Sequence, residues 1–387
     1  MNTANPAELG LDRMRLEHLT AAIKSDVAQQ KYDGAVVIVA RGGKIALHEA
    51  IGFAERASGR TARTDDVFCL FSVTKTLTTA TVLQRVDRGE LALTTRVADI
   101  IPEFGCKGKQ RVTVAQLLSH MGGMSAGVPP VSPELLGNLE AMVAVICQQG
   151  PESLPGQEVS YSPITAHAVL AEIVCRLDGG TRPYREILAA EVLRPLGMKD
   201  TALGLPKALA ARRVPVVVRD RSEGLFPPEM LEAFNVLLKE DAEIPAGGAV
   251  GTATDIFRWA ETLRRGGELD GVRVLSPAIL KLATTNHTGL KPNNLWNYAR
   301  ELRGWDEFPA FLGLSFFLRG TGIFPTYFGT MASPGTFGGI GAGSTLFWVD
   351  LERDLTFVCL TAGLLEESHS IERFQRLSDL ALAAVIA

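Results

Sequence analysis

Apolar residues recur at Val73, Leu77, Ala80, Leu83 and Val86, a spacing that predicts a helix opening near Ser72 and running to about Arg88, where Gly89 is a natural stop. A similar stripe at Leu16, Leu19, Ile23 and Val27 predicts an amphipathic helix over residues 11–30. Between the two the pattern changes: residues 34–40 are a short β-branched run, Arg41-Gly42-Gly43 is a turn, and residues 44–51 read as a second strand. Residues 112–118 read as a helix that stops at Gly122-Gly123, and a helical pattern dominates from there to about residue 240, with loops at Val128-Pro129-Pro130 and Gly150-Pro151. Strand signals return at residues 343–349 and 355–360, a hairpin signature across a polar 350–354 segment, and residues 371–386 read as a closing amphipathic helix. This order predicts an α/β fold in which residues 1–65 and 245–387 build one domain from both termini and residues 66–244 form an inserted, mainly helical domain.

The 387-residue length is ample for a large core, and 46% hydrophobic against 21% charged residues places the chain in the soluble globular class. A net charge of −4 offers no electrostatic case for nucleic acid or an anionic membrane as partner. No 18-residue apolar stretch appears, so no spanning helix is expected. The first six residues carry no basic patch followed by an apolar run, so no secretory signal is expected and the protein reads as cytoplasmic. The five cysteines are scattered, with no Cys-x-x-Cys pair, which argues against a disulfide framework or a zinc site. The six histidines show no metal-binding spacing, and no metal or cofactor is expected.

The candidate chemistry starts at Ser72-Val73-Thr74-Lys75, the one Ser-x-x-Lys in the chain. Residues three apart share a helix face, so the two side chains meet. A serine hydroxyl needs a base to become a nucleophile, and a lysine is that base only when burial or a nearby cation keeps it neutral. The bland alternative is an N-cap serine followed by a solvated lysine. Tyr161, in Val159-Ser160-Tyr161-Ser162-Pro163, is either a proton carrier, if a cation lowers its pKa, or an aromatic packed at a helix start. The run from Gly338 to Gly343 precedes a strand and is either an oxyanion-type backbone site or a glycine-rich turn. Gly123-Met124-Ser125-Ala126-Gly127 matches the Gly-x-Ser-x-Gly elbow, but a helical segment precedes it and Pro129-Pro130 follows, so it reads as a decoy.

Together these residues resemble the serine β-lactamase and penicillin-binding protein superfamily, most closely its class C-like family VIII carboxylesterases. Ser72-Val73-Thr74-Lys75 matches the first motif, Tyr161-Ser162-Pro163 a Tyr-Ser-x variant of the second, and Gly339-Ile340-Gly341 falls where the family has Lys-Thr-Gly, His-x-Gly or Trp-Gly-Gly. Supporting stretches are Leu117 to Gly123, Pro195 to Thr201 and Gly247 to Thr252, so the likeness runs from about residue 10 to the end. The resemblance implies a β-lactamase-like antiparallel sheet flanked by helices, with an all-helical insertion. It implies Ser72 as nucleophile, Lys75 as base, Tyr161 as proton carrier held by Lys75, the backbone N–H groups of Ser72 and Ala342 as oxyanion donors, and Gly339 and Gly341 at the substrate. Pro163 and Gly339 depart from the residues with which many β-lactamases grip the drug, so an ester or thioester substrate fits better. The expected activity is ester hydrolysis on a small-molecule substrate, with acyl transfer, a β-lactamase or D-amino-acid peptidase, a non-catalytic sensor and a Ser125 hydrolase as alternatives. Nine aromatic residues, Trp296, Trp305, Phe308, Phe311, Phe316, Phe317, Phe324, Tyr327 and Phe328, either line an acyl pocket or form core.

Overall fold

The structure, a computed structural model, describes residues 3–222 and 224–386. Met1, Asn2, Glu223 and Ala387 lie outside it, including the two chain ends of the expected terminal domain. Seven strands form one antiparallel sheet in the order Arg60–Thr61, Lys44–Glu55, Gly34–Arg41, Leu355–Ala362, Thr345–Asp350, Phe337–Gly341, Phe317–Leu318. Its centre joins the two ends of the chain, because Gly34–Arg41 pairs with Leu355–Ala362 from Gly34↔Ala362 to Arg41↔Leu355. Both strands are buried along nearly their whole length, which is why they read as continuous apolar runs rather than alternating ones.

The helices Arg13–Ala28 and Glu367–Leu382 pack together on one face, where Trp348 Nε1 donates to Ser378 Oγ at 2.9 Å. The helix Ala253–Arg264 covers the other face, and Trp259 Nε1 donates to Thr76 Oγ1 at 3.0 Å, tying the sheet layer to the helix Thr74–Asp87. The architecture is mixed α/β, an antiparallel sheet with flanking helices.

Three local expectations change. The 74–87 helix is buried on every side from Thr74 to Arg85, not along one stripe. It sits in the middle of the molecule, and its threonines satisfy themselves there: Thr76 and Thr81 donate to Val73 and Thr78 carbonyls at 2.8 Å, and Thr78 to Pro245 O at 2.7 Å. The run from Gly338 to Gly343, read as either an oxyanion-type backbone site or a glycine-rich turn, is strand up to Gly341, because a ladder needs only backbone groups (Gly338↔Trp348, Ile340↔Leu346). The 123–240 region is less helical than its pattern. Its longer helices are Leu139–Gln148 and Thr165–Leu177, and prolines at 129, 130, 151, 155, 163, 215, 227 and 228 keep much of the rest irregular.

The insertion is laced to the sheet layer. A small sheet of Phe68–Cys69, Ala249–Gly251 and Ala202–Leu203 joins both of its ends. One apolar core runs unbroken from Val36, Ile38 and Phe347 through Leu77 and Leu83 to Leu117, Ile146 and Ile173. Among the described residues, no helix is long and apolar enough to cross a membrane.

Candidate active site

Ser72 lies in a 3-10 turn, Phe71–Val73, that leads directly into the Thr74–Asp87 helix. Phe71 before it has φ +45°, a left-handed conformation that costs energy for a side chain bearing a Cβ and is held here by the surrounding core. One helical turn on, Lys75 is 2% exposed, and its Nζ stands 3.0 Å from Ser72 Oγ. The same Nζ donates to Pro163 O at 2.7 Å and Ala246 O at 2.8 Å. Burial pushes the Lys75 amine well below the ordinary lysine pKa, because nothing in the pocket neutralises an ammonium. A neutral amine has two N–H groups and one lone pair. The two carbonyls take the N–H groups, and the lone pair is left for the serine proton.

Tyr161 is buried beside Ser72, whose side chain acts on the ionisation of its hydroxyl. The expected contact with Lys75 takes a different form: Nζ stands 5.0 Å over the centre of the tyrosine ring. The phenol pKa is raised rather than lowered. Desolvation raises it, with the Ser72 side chain opposing, so the resting phenol keeps its proton.

His120, which the sequence reading singled out only for lacking metal spacing, proves central. Its ring lies 4.4 Å from that of Tyr161, its carbonyl accepts from Ser160 N at 3.0 Å, and its Nδ1 accepts from Ser162 N at 3.1 Å. Burial, then the Lys75 charge, drives its pKa down to about 3, so it stays neutral. The available signal was its place in the Leu117 to Gly123 stretch. The two carbonyls on Lys75 carry no sequence signal, because any residue has one.

Ala342, at φ +20°, lines the same cavity as Ser72. Gly339 and Gly341 do not line it. Their geometry is one of close approach: a Cβ on Gly341 would stand 2.3 Å from Leu70 O and 2.1 Å from Thr345 Oγ1, and one on Gly339 2.7 Å from Phe347 Cε1 and 3.1 Å from Thr76 Cγ2. Both glycines let the Ser72-bearing segment sit on the strand.

The cavity, about 100 Å³, is lined by Phe71, Ser72, Pro163, Ala246 and Ala342 together with Phe226, Met230, Phe234 and Leu237, and no charged residue lines it. The nine aromatic residues expected as pocket or core are not among its walls. Trp296, Phe308, Tyr327 and Phe328 belong to the core under the two terminal helices, while Phe317 backs the Tyr161 ring at 6.0 Å.

Ser125 does not line this cavity. It donates to Glu152 Oε1 at 2.5 Å and accepts from Gly127 N at 3.0 Å, its carbonyl accepts from Thr165 Oγ1 at 3.3 Å, and no strand precedes it. Among the described residues, Asp220, Glu366 and His369 form the one group with metal-ligand potential, brought together from distant segments. Their atoms are already engaged: Glu366 caps the C-terminal helix through Ser368 N at 2.9 Å, and Asp220 holds His369 Nδ1 at 2.6 Å.

Known proteins resemble this chain in sequence and in fold. Penicillin-binding protein 4 of Amycolatopsis lactamdurans is 31% identical over 275 residues, covering 68% of this chain and 70% of that protein. Esterase EstB of Burkholderia gladioli is 32% identical over 295 residues, covering 67% and 73%. The crystal structure of a family VIII carboxylesterase superposes with a TM-score of 0.79 over 97% of this chain and 99% of that one, and its 24% identity makes this a likeness of fold. The beta-lactamase family model matches residues 19–381, which include every strand of the seven-stranded sheet and Ser72, Lys75 and Tyr161, so the chain belongs to the beta-lactamase family.

Proposed function

We propose that the protein is a serine carboxylesterase that cleaves small-molecule esters through an acyl-enzyme on Ser72. The observation that carries this reading is Lys75, whose two N–H groups go to carbonyls and whose remaining position faces the serine hydroxyl at 3.0 Å. Ser72 Oγ attacks the ester carbonyl as its proton passes to Lys75. The ammonium so formed still finds three acceptors. The N–H groups of Ser72 and Ala342 receive the oxyanion, and such a donor is typically worth about 3 kcal/mol of barrier. Tyr161, protonated at rest, hands its proton to the leaving alkoxide, and the ammonium 5.0 Å from its ring favours the transient phenolate and resupplies the proton. Water then attacks the acyl-enzyme by the same steps in reverse.

The uncharged cavity supports an ester with an apolar group over a β-lactam or D-amino-acid peptide, whose carboxylate would meet no cation among the lining residues. Acyl transfer to an alcohol uses the same acyl-enzyme and differs only in the acceptor. The test is fluorophosphonate labelling read by intact mass, with turnover of p-nitrophenyl butyrate, on wild type, Ser72→Ala and Ser125→Ala. Labelling and turnover lost in Ser72→Ala and kept in Ser125→Ala is the expected result. An unlabelled wild type, or loss confined to Ser125→Ala, overturns the proposal. Added butanol separates ester exchange from hydrolysis by product analysis, and nitrocefin tests β-lactam cleavage.

A further inference from the structure

Arg373, on the C-terminal helix, is 5% exposed, yet among the described residues no carboxylate lies within ion-pairing distance of its guanidinium. The nearest acid in its electrostatic surroundings, Asp26, is itself engaged by Lys31, at 3.2 Å, and by Arg376. The guanidinium instead stands 4.9 Å from the Tyr32 ring centre and 4.2 Å from that of Phe374, and its Nε has no acceptor. Burying an unpaired cation is costly, and the protein could bury a hydrocarbon there instead. The use of this cation is therefore sought in what it holds.

Its shortest bond runs from Nη2 to Gly343 O at 2.8 Å, and Nη1 donates to Thr361 Oγ1 at 3.2 Å. Thr361 in turn donates through both N and Oγ1 to Ser344 O, at 2.8 and 2.9 Å. Residues 342–344 are the turn between the strands Phe337–Gly341 and Thr345–Asp350, and they include Ala342 at φ +20° and Gly343 at φ +67°. On the far side, Thr345 Oγ1 donates to Leu70 O at 2.9 Å, next to the Ser72 turn. The strained turn is thus pinned from behind at two of its carbonyls, Gly343 O and Ser344 O, and joined to the nucleophile segment in front.

We propose that Arg373 is a positioning residue for the reaction: by gripping the Gly343 carbonyl it holds the Ala342 turn in its strained conformation and so aims the Ala342 N–H at the oxyanion. This rests on the esterase reading above. Because the oxyanion exists only in the transition state, loosening the turn lowers kcat and leaves KM nearly unchanged.

The test compares wild type with Arg373→Met, which keeps the stem's volume and removes the cation, and Arg373→Lys, which keeps the charge but cannot span Gly343 O and Thr361 together. Turnover of p-nitrophenyl butyrate is read alongside inhibition by a trifluoromethyl ketone, which forms a tetrahedral adduct on a serine, and by its methyl ketone counterpart. The expected result, in both variants, is a tenfold or greater loss of kcat and of trifluoromethyl ketone affinity, with KM and methyl ketone binding within twofold. A soluble variant with kcat and trifluoromethyl ketone affinity within twofold of wild type overturns the inference, as does a loss that falls equally on both ketones. If Arg373→Met is insoluble, Arg373→Lys decides alone by the same ratios. Failure of the esterase reading is distinguishable, since wild type itself would then neither turn over the ester nor bind the trifluoromethyl ketone.

Discussion

His120 brackets Tyr161, accepting the Ser160 N–H through its carbonyl and the Ser162 N–H through Nδ1 while its ring lies 4.4 Å from the phenol. Three contacts from one residue fix the backbone on both sides of Tyr161, the proposed proton carrier, and the plane of its ring. His120→Phe keeps the stacking surface and removes the Nδ1 acceptor, leaving a buried N–H unpaired. The expected outcome is a loss of kcat by 10- to 100-fold, on the order seen for displaced acid–base groups, with KM little changed. Steady-state kinetics on the folded variant checks it. Because burial holds the wild-type imidazole down to about 3, the wild-type rate profile shows no histidine limb between pH 5 and 8. The same depression has a stability consequence. Unfolding returns the ring to an ordinary value near 6.5, so the unfolded chain takes up a proton that the native one refuses, and thermal stability falls as pH drops from 6.5 towards 3. Melting curves across that range, on wild type and His120→Phe, show a shallower acid slope in the variant.

As the proposed base Lys75 works only when neutral, and its burial lowers the pKa well below the ordinary lysine value of 10.5. Activity therefore rises with pH through a single ionisation displaced well to the acid side of 10.5, then levels off. A kcat/KM profile with its midpoint at an ordinary lysine value contradicts this. Lys75→Arg cannot deprotonate and is expected to be inactive. The native state also binds fewer protons than the unfolded chain between the lowered pKa and 10.5, so this group makes stability climb with pH in that window. Denaturant titrations of Lys75→Met lose that climb, and above pH 10.5, where the Lys75 titration no longer weighs on wild type, the variant is less stable by about 2 kcal/mol because the Pro163 and Ala246 carbonyls lose their donor.

Gly341→Ala puts a methyl group 2.3 Å from Leu70 O, a backbone atom directly upstream of the nucleophile turn. Either the strand or the Ser72 segment must move, so the variant is expected to lose several degrees of Tm and most of its activity. Gly335→Ala, where an added Cβ meets nothing within 4 Å, is the matched control and stays within experimental error of wild type in both measurements.

Phe234 faces Phe71 with ring centres 5.2 Å apart, both in the cavity wall. Phe234→Ala widens the cavity and Phe234→Trp narrows it. Across p-nitrophenyl esters from acetate to decanoate, the kcat/KM optimum moves to longer acyl chains in the first and to shorter ones in the second, with about 1–3 kcal/mol of discrimination available per methylene-sized change. An optimum that does not move in either variant places the acyl chain elsewhere.

Much of this molecule was legible from residue order alone. The apolar runs at 34–40 and 355–360, and the helical stripes at the two ends, point to a sheet layer assembled from both termini, and those elements stand where the periodicity put them. Ser72 and Lys75 are neighbours because three residues nearly complete a helical turn, which is local geometry. What residue order could not supply is everything made by contact between distant segments. The acceptors that orient the Lys75 amine are backbone carbonyls 88 and 171 residues away, and a carbonyl has no sequence signature. The cavity wall comes from the 226–237 segment rather than from the aromatic-rich 296–328 stretch, because burial is decided by which surfaces meet and not by which are apolar. Gly341 makes room for Leu70, Phe71 and Thr345, and Gly339 for Phe347 and Thr76, and only the packed structure shows what a missing side chain makes room for.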